Sequence, residues 1–129
     1  MRLKDYLAAL IDGIDSSPYP ESHQISFDDR PPDATFIKGT IKFVDGSMLS
    51  FKEFVIISAS DAVILKYGYH YHDSAGVLIF RYDNALDPAA RGLSTYPSHK
   101  HTISGLSPAN RPSHRQLFIE ISQAILRSG

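Results

Sequence analysis

The sequence predicts an α+β fold in which about six mostly antiparallel strands form one sheet, with an N-terminal and a C-terminal helix packed on it. Apolar residues recur at helical spacing near both ends of the chain. Between the two ends, short runs are rich in β-branched and aromatic residues, which favour strands. Turn signals at Asp45-Gly46 and at residues 73–76 join neighbouring runs into antiparallel hairpins.

The first predicted element is an amphipathic helix over about residues 3–15. Its apolar positions follow the period of 3.6, and charged residues fill the other side. The segment Ser16-Ser17-Pro18 ends it, because proline cannot continue a helix. The apolar stripe consists of Leu3, Tyr6, Leu7, Leu10, Ile11 and Ile14.

Six strands are predicted in the middle of the chain, at about residues 23–28, 35–44, 48–58, 62–72, 76–83 and 98–103. Asp45-Gly46 favours a type I′ turn between the second and third strands, which would set Lys38 across from Glu53. The segment 84–97 contains two prolines and a glycine and is predicted to be a long irregular loop.

The hairpin of the fourth and fifth strands predicts which side chains share a face. A two-residue loop at Ser74-Ala75 would set His70 opposite Ile79 and Gly68 opposite Arg81. Alternation then gives a polar face that carries His70, His72, Arg81 and Asp83. The other face would form the core, with Leu65, Tyr67, Tyr69, Tyr71, Leu78, Phe80 and Tyr82.

A second helix is predicted after Pro112. Ser113 and Gln116 have the spacing of a capping box, in which each side chain bonds to the backbone N–H of the other residue. The apolar stripe that follows has the period needed to lie on a sheet and consists of Leu117, Phe118, Ile121, Ala124 and Ile125.

The composition predicts a single domain over residues 1–129, because the length is typical of one domain and 43% of the residues are hydrophobic. The absence of cysteine excludes disulfides, thiolate zinc sites and cysteine nucleophiles. The first residues include acids and no long apolar run, so neither a signal peptide nor a membrane span is expected. We therefore expect a cytoplasmic protein.

The net charge of −1 is unevenly distributed along the chain. Residues 91–129 hold five basic side chains and one acid, a balance of +4, and residues 1–90 hold eight basic and 13 acidic ones, a balance of −5. Such a split is compatible with an anionic substrate at one surface and a basic protein partner at another. The acids are candidates for contact with a protein partner, above all Asp12, Asp15, Glu21, Asp28, Asp29 and Asp33.

Four of the six histidines form two His-x-His pairs, His70/His72 and His99/His101, with Arg81-Tyr82-Asp83-Asn84 between them in the sequence. Imidazoles titrate near neutral pH, a guanidinium is always charged, and a carboxylate can orient either group. The set suits proton transfer at a phosphate. It is also compatible with metal binding, because alternate residues of a strand point the same way.

The order of these motifs resembles the TumE-like toxin family of type II toxin–antitoxin systems. The most specific parts are Arg81-Tyr82-Asp83-Asn84 and Pro97-Ser98-His99-Lys100-His101, and the likeness covers nearly the whole chain. The resemblance implies a small cytoplasmic toxin that acts on RNA and is neutralised by a helix-turn-helix antitoxin protein. A homodimer is a further option.

Together, the residues and the resemblance predict a metal-independent endoribonuclease that needs no cofactor. His70 and His99 are the predicted acid and base in either order, and Arg81 and Lys100 stabilise the phosphate. Asp83 is predicted to orient a histidine or Arg81. The full prediction comprises the catalytic residues His70, Arg81, Asp83, His99, Lys100 and His101 and the substrate contacts His72, Tyr82, Asn84 and Glu53.

Two alternatives remain at this point. In the first, the His-x-His pairs bind Zn²⁺, Mn²⁺ or Ni²⁺ with Asp83 or Glu53 and form a metal-binding hydrolase. In the second, the protein is a non-enzymatic module whose sheet binds a protein or a nucleic acid.

Overall fold

The computed structural model describes residues 3–58 and 61–128. It contains a seven-stranded antiparallel sheet in which each strand pairs with the next one along the chain, and it confirms the predicted α+β fold. The helices are α1 (Leu3–Asp15) and α2 (His114–Ser128). The strands are β1 (Pro20–Arg30), β2 (Ala34–Phe43), β3 (Met48–Ile57), β4 (Ala62–His72), β5 (Leu78–Asp83), β6 (His99–Thr102) and β7 (Gly105–Pro108).

Both helices match their sequence predictions. The capping box of α2 is formed, since the N–H of Gln116 donates to Oγ of Ser113 over 3.1 Å and the N–H of Ser113 donates to Oε1 of Gln116 over 2.9 Å. The apolar stripes of α1 and α2 pack on one face of the sheet, which we call the helix face. The other face, the open face, presents polar side chains, including the exposed Lys38 and Lys52.

The strand β7 was not predicted. It has only four residues, turns back from β6 through Ile103-Ser104 and ends in Pro108. A segment this short does not show the alternating apolar pattern that identifies a strand, and proline is rare in strands. The predicted irregular segment 84–97 is confirmed and contains one short 3₁₀ helix, Pro88–Ala90. Among the described residues, neither helix is long and apolar enough to cross a membrane.

The predicted register between β2 and β3 is wrong by one residue. The loop has three residues instead of two, since the N–H of Phe43 donates to the carbonyl of Ser47. Gly46 alone takes a positive φ, of 86°, so the turn is not type I′. Lys38 consequently pairs with Lys52 and not with Glu53, which pairs with Ile37 and lies on the helix face.

The predicted register between β4 and β5 is wrong by two residues. Gly76, at a φ of 83°, closes another three-residue loop, and a bulge between Tyr71 and His72 adds a second step. Two steps restore the alternation beyond the bulge, so the predicted sharing of faces survives for His70, Arg81 and Asp83. Leu78, predicted to lie in the core, instead pairs with His72, and Ile79 packs against the core. His70 lies opposite Arg81, and Gly68 lies opposite Asp83.

The core lies between the helix face and the two helices. The prediction that Tyr67, Tyr69 and Tyr71 are core residues is confirmed, because all three are buried. Leu65 was predicted to join them but is 48% exposed, since it lies at a bulge where β4 changes register with β3. The alternation of β4 is interrupted at this bulge. Beyond it, the buried tyrosines alternate with His70 and His72, which are thereby placed on the open face.

Candidate active site

Three chemically active side chains lie in a row across neighbouring strands on the open face. His70 on β4 pairs with Arg81 on β5, and Arg81 pairs with His101 on β6. Directly opposed residues of antiparallel strands point to the same face, with Cβ atoms about 5 Å apart. The sheet therefore places a guanidinium between two imidazoles, although the three residues are far apart in the sequence.

Arg81 joins this row to the one beside it, in which Asp83 on β5 pairs with His99 on β6. Nε of Arg81 donates to Oδ2 of Asp83 over 2.8 Å, and Nη2 donates to Nε2 of His101 over 3.0 Å. The Arg81 side chain is 42% exposed and that of Asp83 only 11%. Asp83 thus holds the guanidinium from below while Arg81 remains accessible to a ligand.

His99 occupies the base of the site. It is only 1% exposed, and its Nδ1 lies 2.7 Å from the carbonyl oxygen of Pro97. Its Nε2 lies 3.1 Å from Oδ1 of Asp83, so the two side chains form an ion pair only when the ring is protonated. The direction is nevertheless poor, and this nitrogen meets hydrogen-bond geometry with no partner in the described part of the chain. The contact is therefore a close approach of the two side chains and not a formed hydrogen bond.

The two accessible imidazoles of the row favour the neutral form. Burial, followed by the neighbouring His72 and Arg81, lowers the pKa of His70 below its usual value. Burial, followed by Arg81 and His99, lowers the pKa of His101 in the same way. A neutral imidazole has a lone pair that can accept a proton, and the lowered pKa means that either ring becomes protonated only below the usual value of about 6.5.

His72 is the outermost member of the set. Its ring lies edge-on to that of His70, with 5.9 Å between the centroids, and its Nδ1 lies 3.0 Å from the carbonyl oxygen of Asp73. The structure brings six of the predicted residues together on the open face. We call them the histidine cluster: His70, His72, Arg81, Asp83, His99 and His101.

Lys100 and Tyr82 lie on the other side of the sheet. They pair with each other across β5 and β6, and both contact Glu120 of α2. Nζ of Lys100 is 2.7 Å from Oε2 of Glu120 and 4.9 Å from the ring centroid of Tyr82. Burial alone would lower the pKa of Lys100, but the bonds to Glu120 and Tyr82 raise it. Both residues therefore lie on the helix face, and the sheet separates them from the histidine cluster.

Glu53 is also on the helix face, where it is fully buried. It accepts hydrogen bonds from the hydroxyls of Tyr6, at 2.6 Å, and Tyr69, and its Oε2 lies 2.8 Å from Nε2 of His114. Burial would raise the pKa of Glu53, but the bonds from His114, Tyr6 and Tyr69 lower it below the usual range. This network ties both helices to β3 and β4, on the side away from the predicted site.

Asn84 is engaged by the backbone of β4. Its side-chain N–H donates to the carbonyl of Leu65 over 2.9 Å, and its Oδ1 accepts from the N–H of Tyr67 over 3.1 Å. The amide thereby bridges the bulge beside the end of β5. Its position explains an asparagine here without any contact to a substrate.

A metal ion could use part of the histidine cluster. Asp83, His99 and His101 each offer one ligand atom, and these atoms lie within 4.8 Å of one another. A carbonyl only accepts, so the contact with Pro97 places a proton on Nδ1 of His99, and in the neutral ring Nε2 is then the nitrogen with a lone pair for a metal ion. Arg81, however, already contacts both Asp83 and His101, so a cation there would face a guanidinium.

Part of the open face was missed by sequence reasoning. Lys38 pairs with Lys52, and Phe36 pairs with Phe54, on strands that lead towards the histidine cluster. The alternation of lysine and aromatic residues in the second and third strands was a usable signal. However, the sequence does not give the register of the hairpin, and without the register the pattern does not show that these four residues share one face.

Comparison with known proteins gives one match. A sequence model of the family described as Toxin TumE matches residues 10–128, which include both helices, in part or in full, and all seven strands. No curated protein matches the chain, and no solved structure does. Because the match covers far more than half of the chain and includes every residue of the histidine cluster, the chain belongs to the TumE toxin family.

Proposed function

We propose that this toxin is a metal-independent endoribonuclease that acts on RNA in the cytoplasm. The observation that supports this most is the row His70–Arg81–His101. Strands lie about 4.8 Å apart, so the two imidazoles start from backbones roughly 10 Å apart with the guanidinium between them. A phosphate bound to Arg81 would have a proton-transfer group on each side, as in-line displacement requires.

The proposed reaction uses the 2′-hydroxyl of the RNA as its nucleophile. His101 takes the 2′-hydroxyl proton, the 2′-oxygen bonds to phosphorus, and the bond to the 5′-oxygen breaks. His70 in its protonated form gives a proton to that departing oxygen. The products are a 2′,3′-cyclic phosphate and a 5′-hydroxyl. Arg81 stabilises the charge that develops on the phosphate oxygens.

These roles revise the sequence hypothesis at two positions. His99 was the expected partner of His70, but its burial keeps it from a substrate, so its partly exposed neighbour on the same face, His101, takes the role. Lys100 was an expected phosphate ligand, but its contact with Glu120 keeps it on the helix face. Asp83 retains its expected role of orienting Arg81.

The family supports an antitoxin partner, and we propose a small helix-turn-helix protein for this role. The test is expression of the chain alone and together with its neighbouring reading frame. We expect growth arrest that the neighbour relieves, and RNA fragments that end in 2′,3′-cyclic phosphate. Purified protein should produce the same ends in the presence of EDTA. Intact RNA under all of these conditions would contradict the proposed nuclease.

A second candidate is a metal-binding hydrolase. It is favoured by the buried Nε2 of His99, which has no hydrogen-bond partner within residues 3–58 and 61–128 and lies close to possible ligand atoms of Asp83 and His101. Two ligand atoms that each lie about 2.1 Å from a shared tetrahedral zinc ion are roughly 3.4 Å apart and do not point at each other. Nε2 of His99 and Oδ1 of Asp83, 3.1 Å apart without hydrogen-bond geometry, resemble such a pair of ligands. Elemental analysis of protein purified without an affinity tag distinguishes the two. Stoichiometric metal that is lost in His99→Ala, together with cleavage abolished by EDTA, would favour this candidate.

A further inference from the structure

The open face carries a pair of like charges that stability does not explain. Lys38 on β2 lies directly opposite Lys52 on β3, and both side chains are exposed. Like charges directly opposite each other destabilise a sheet. An anionic ligand would remove this repulsion, so the pair is better explained by binding than by folding.

Lys52 extends this positive charge towards the histidine cluster. It pairs with Gly68, which in turn pairs with Asp83. A Cβ built on Gly68 would lie 3.4 Å from Cε of Lys52 and 3.9 Å from Cβ of Asp83. The lysine stem therefore lies over the glycine, in space that a larger side chain would fill. One continuous row leads from Lys38 through Lys52 to the cluster.

The neighbouring row supplies aromatic surface. Phe36 pairs with Phe54, both are partly exposed, and Phe54 pairs with the exposed Lys66. Nζ of Lys38 lies 5.9 Å from the ring centroid of Phe36. Open sheets with aromatic side chains stack unpaired bases, and basic side chains beside them bind the phosphates. From β5 to β2 the distance is about 14 Å, which is enough for a short stretch of substrate.

The net charge of residues 1–90 conceals the positive charge of the open face. The segment 1–90 is acidic overall, yet four of its lysines, Lys38, Lys42, Lys52 and Lys66, lie on β2, β3 and β4 and are exposed. Alternation places all four on the open face. The carboxylates nearest in the strand pattern are already engaged, since Asp28 contacts Arg30 and Asp83 contacts Arg81.

We propose that the open face binds single-stranded RNA beside the scissile phosphate, with Lys52 and Lys38 on successive phosphates and with Phe36 and Phe54 stacked on bases. The identity of the ligand as RNA rests on the proposed nuclease function. The positions of the contacts rest on the geometry of the sheet alone.

Binding is measured separately from cleavage, on an RNA oligonucleotide with 2′-O-methyl groups, which lacks the attacking hydroxyl. Fluorescence anisotropy over a series of salt concentrations compares the parent with Lys38→Gln/Lys52→Gln. We expect at least a tenfold loss of affinity at low salt, and a salt slope about 1.4 smaller in magnitude, since each phosphate contact to a single strand contributes roughly 0.7. The double variant should be no less stable than the parent, because a like-charge pair is removed.

The matched control is Lys4→Gln/Arg127→Gln, which removes two exposed charges from the helices. It should keep the parent's affinity and salt slope. Phe36→Leu/Phe54→Leu should weaken binding about tenfold or more without changing the slope, because stacking is not ionic. A duplex of the same sequence should bind more weakly than the single strand.

Equal losses in the lysine variant and in its control would overturn the proposal, as would unchanged binding in both. Loss of antitoxin binding with unchanged RNA binding would also overturn it and would identify the face as a protein interface. A cleavage assay on the unmodified RNA separates the two proposals. If the protein binds RNA through these residues but does not cleave it, the result supports the RNA site and contradicts the nuclease. If the protein cleaves RNA but the open-face variants bind like the parent, the result supports the nuclease and contradicts the RNA site.

Discussion

Arg81 donates a hydrogen bond from Nη2 to Nε2 of His101 over 3.0 Å. A guanidinium has no acceptor, so this contact requires a lone pair on Nε2 and holds His101 neutral, with its proton on Nδ1. A phosphate that binds Arg81 competes for the same donor and frees that lone pair. The residue that binds the anion is thus also the residue that keeps its neighbour ready to accept a proton.

The first prediction concerns the two imidazoles. His70→Asn and His101→Asn should each lower the rate of RNA cleavage on the order of 10²- to 10⁴-fold, because each removes a proton-transfer group. The free energy of unfolding should change little for His70, which is exposed. His23→Asn is the matched control, since His23 is an exposed histidine on β1. Cleavage that survives in both cluster variants would contradict the assignment.

The second prediction compares two cations on opposite faces. Arg81→Gln should lower kcat on the order of 10²- to 10³-fold, because it removes charge stabilisation in the transition state. Lys100→Gln should leave cleavage within about twofold and cost only about 1 kcal/mol of stability, as is typical of a partly exposed ion pair. Single-turnover rates and urea unfolding measure the two effects. Equal rate losses in both variants would restore Lys100 to the site.

The two loops show why the sequence predicts the faces better than the register. A side chain's face depends only on the parity of the strand pattern, whereas the register depends on the length of the loop. At Gly76 the loop and the bulge shift the strands by two residues, and the predicted cluster of His70, Arg81 and Asp83 survives. At Gly46 the shift is one residue, and Glu53 and Lys38 separate onto opposite faces.

The segment His99-Lys100-His101 illustrates both the strength and the limit of sequence reasoning. Strict alternation already places Lys100 on the face opposite the two histidines, so this difference was predictable. The burial of His99 was not, because both histidines share one face and only the packed structure shows that one of them is covered. A residue's chemistry can be inferred from the sequence, but its access to a substrate cannot.

The third prediction is a pH optimum on the acid side of neutrality. The base must be neutral and the acid protonated, and burial with nearby positive charge lowers the pKa of both His70 and His101. The acid therefore loses its proton below the usual imidazole value of about 6.5. We expect a bell-shaped profile of kcat/KM with its maximum below about pH 6.5 and a decline towards pH 8.

His72→Ala tests the cause of that shift. After burial, His72 is the next largest influence that lowers the pKa of His70. Its removal should raise the pKa of His70 and move the alkaline limb of the profile to higher pH. NMR titration of the parent and the variant measures the pKa of His70 directly, without RNA cleavage. A limb that stays in place, or that moves to lower pH, would contradict the role of His70 as the acid.

The fourth prediction concerns the buried carboxylate of Glu53. Its pKa in the folded protein is lowered, so its stabilising effect is fully present above the unfolded value of about 4.3 and is lost as the pH falls through the folded value. Glu53→Gln should cost about 2–4 kcal/mol near neutral pH, because an amide cannot accept from both tyrosines and also face His114. Tyr6→Phe should cost less, about 1–2 kcal/mol.

Urea unfolding at a series of pH values measures these costs, with Glu21→Gln as the control on an exposed glutamate. The gap between the parent and Glu53→Gln should narrow as the pH falls below the unfolded value of about 4.3, because the unfolded parent then takes up a proton that the folded carboxylate still excludes. RNA cleavage by the variant should follow its folded fraction, since Glu53 lies across the sheet from the histidine cluster. A gap that is constant with pH would show that the charge of Glu53 does not stabilise the fold, and a selective loss of cleavage would make it a substrate contact after all.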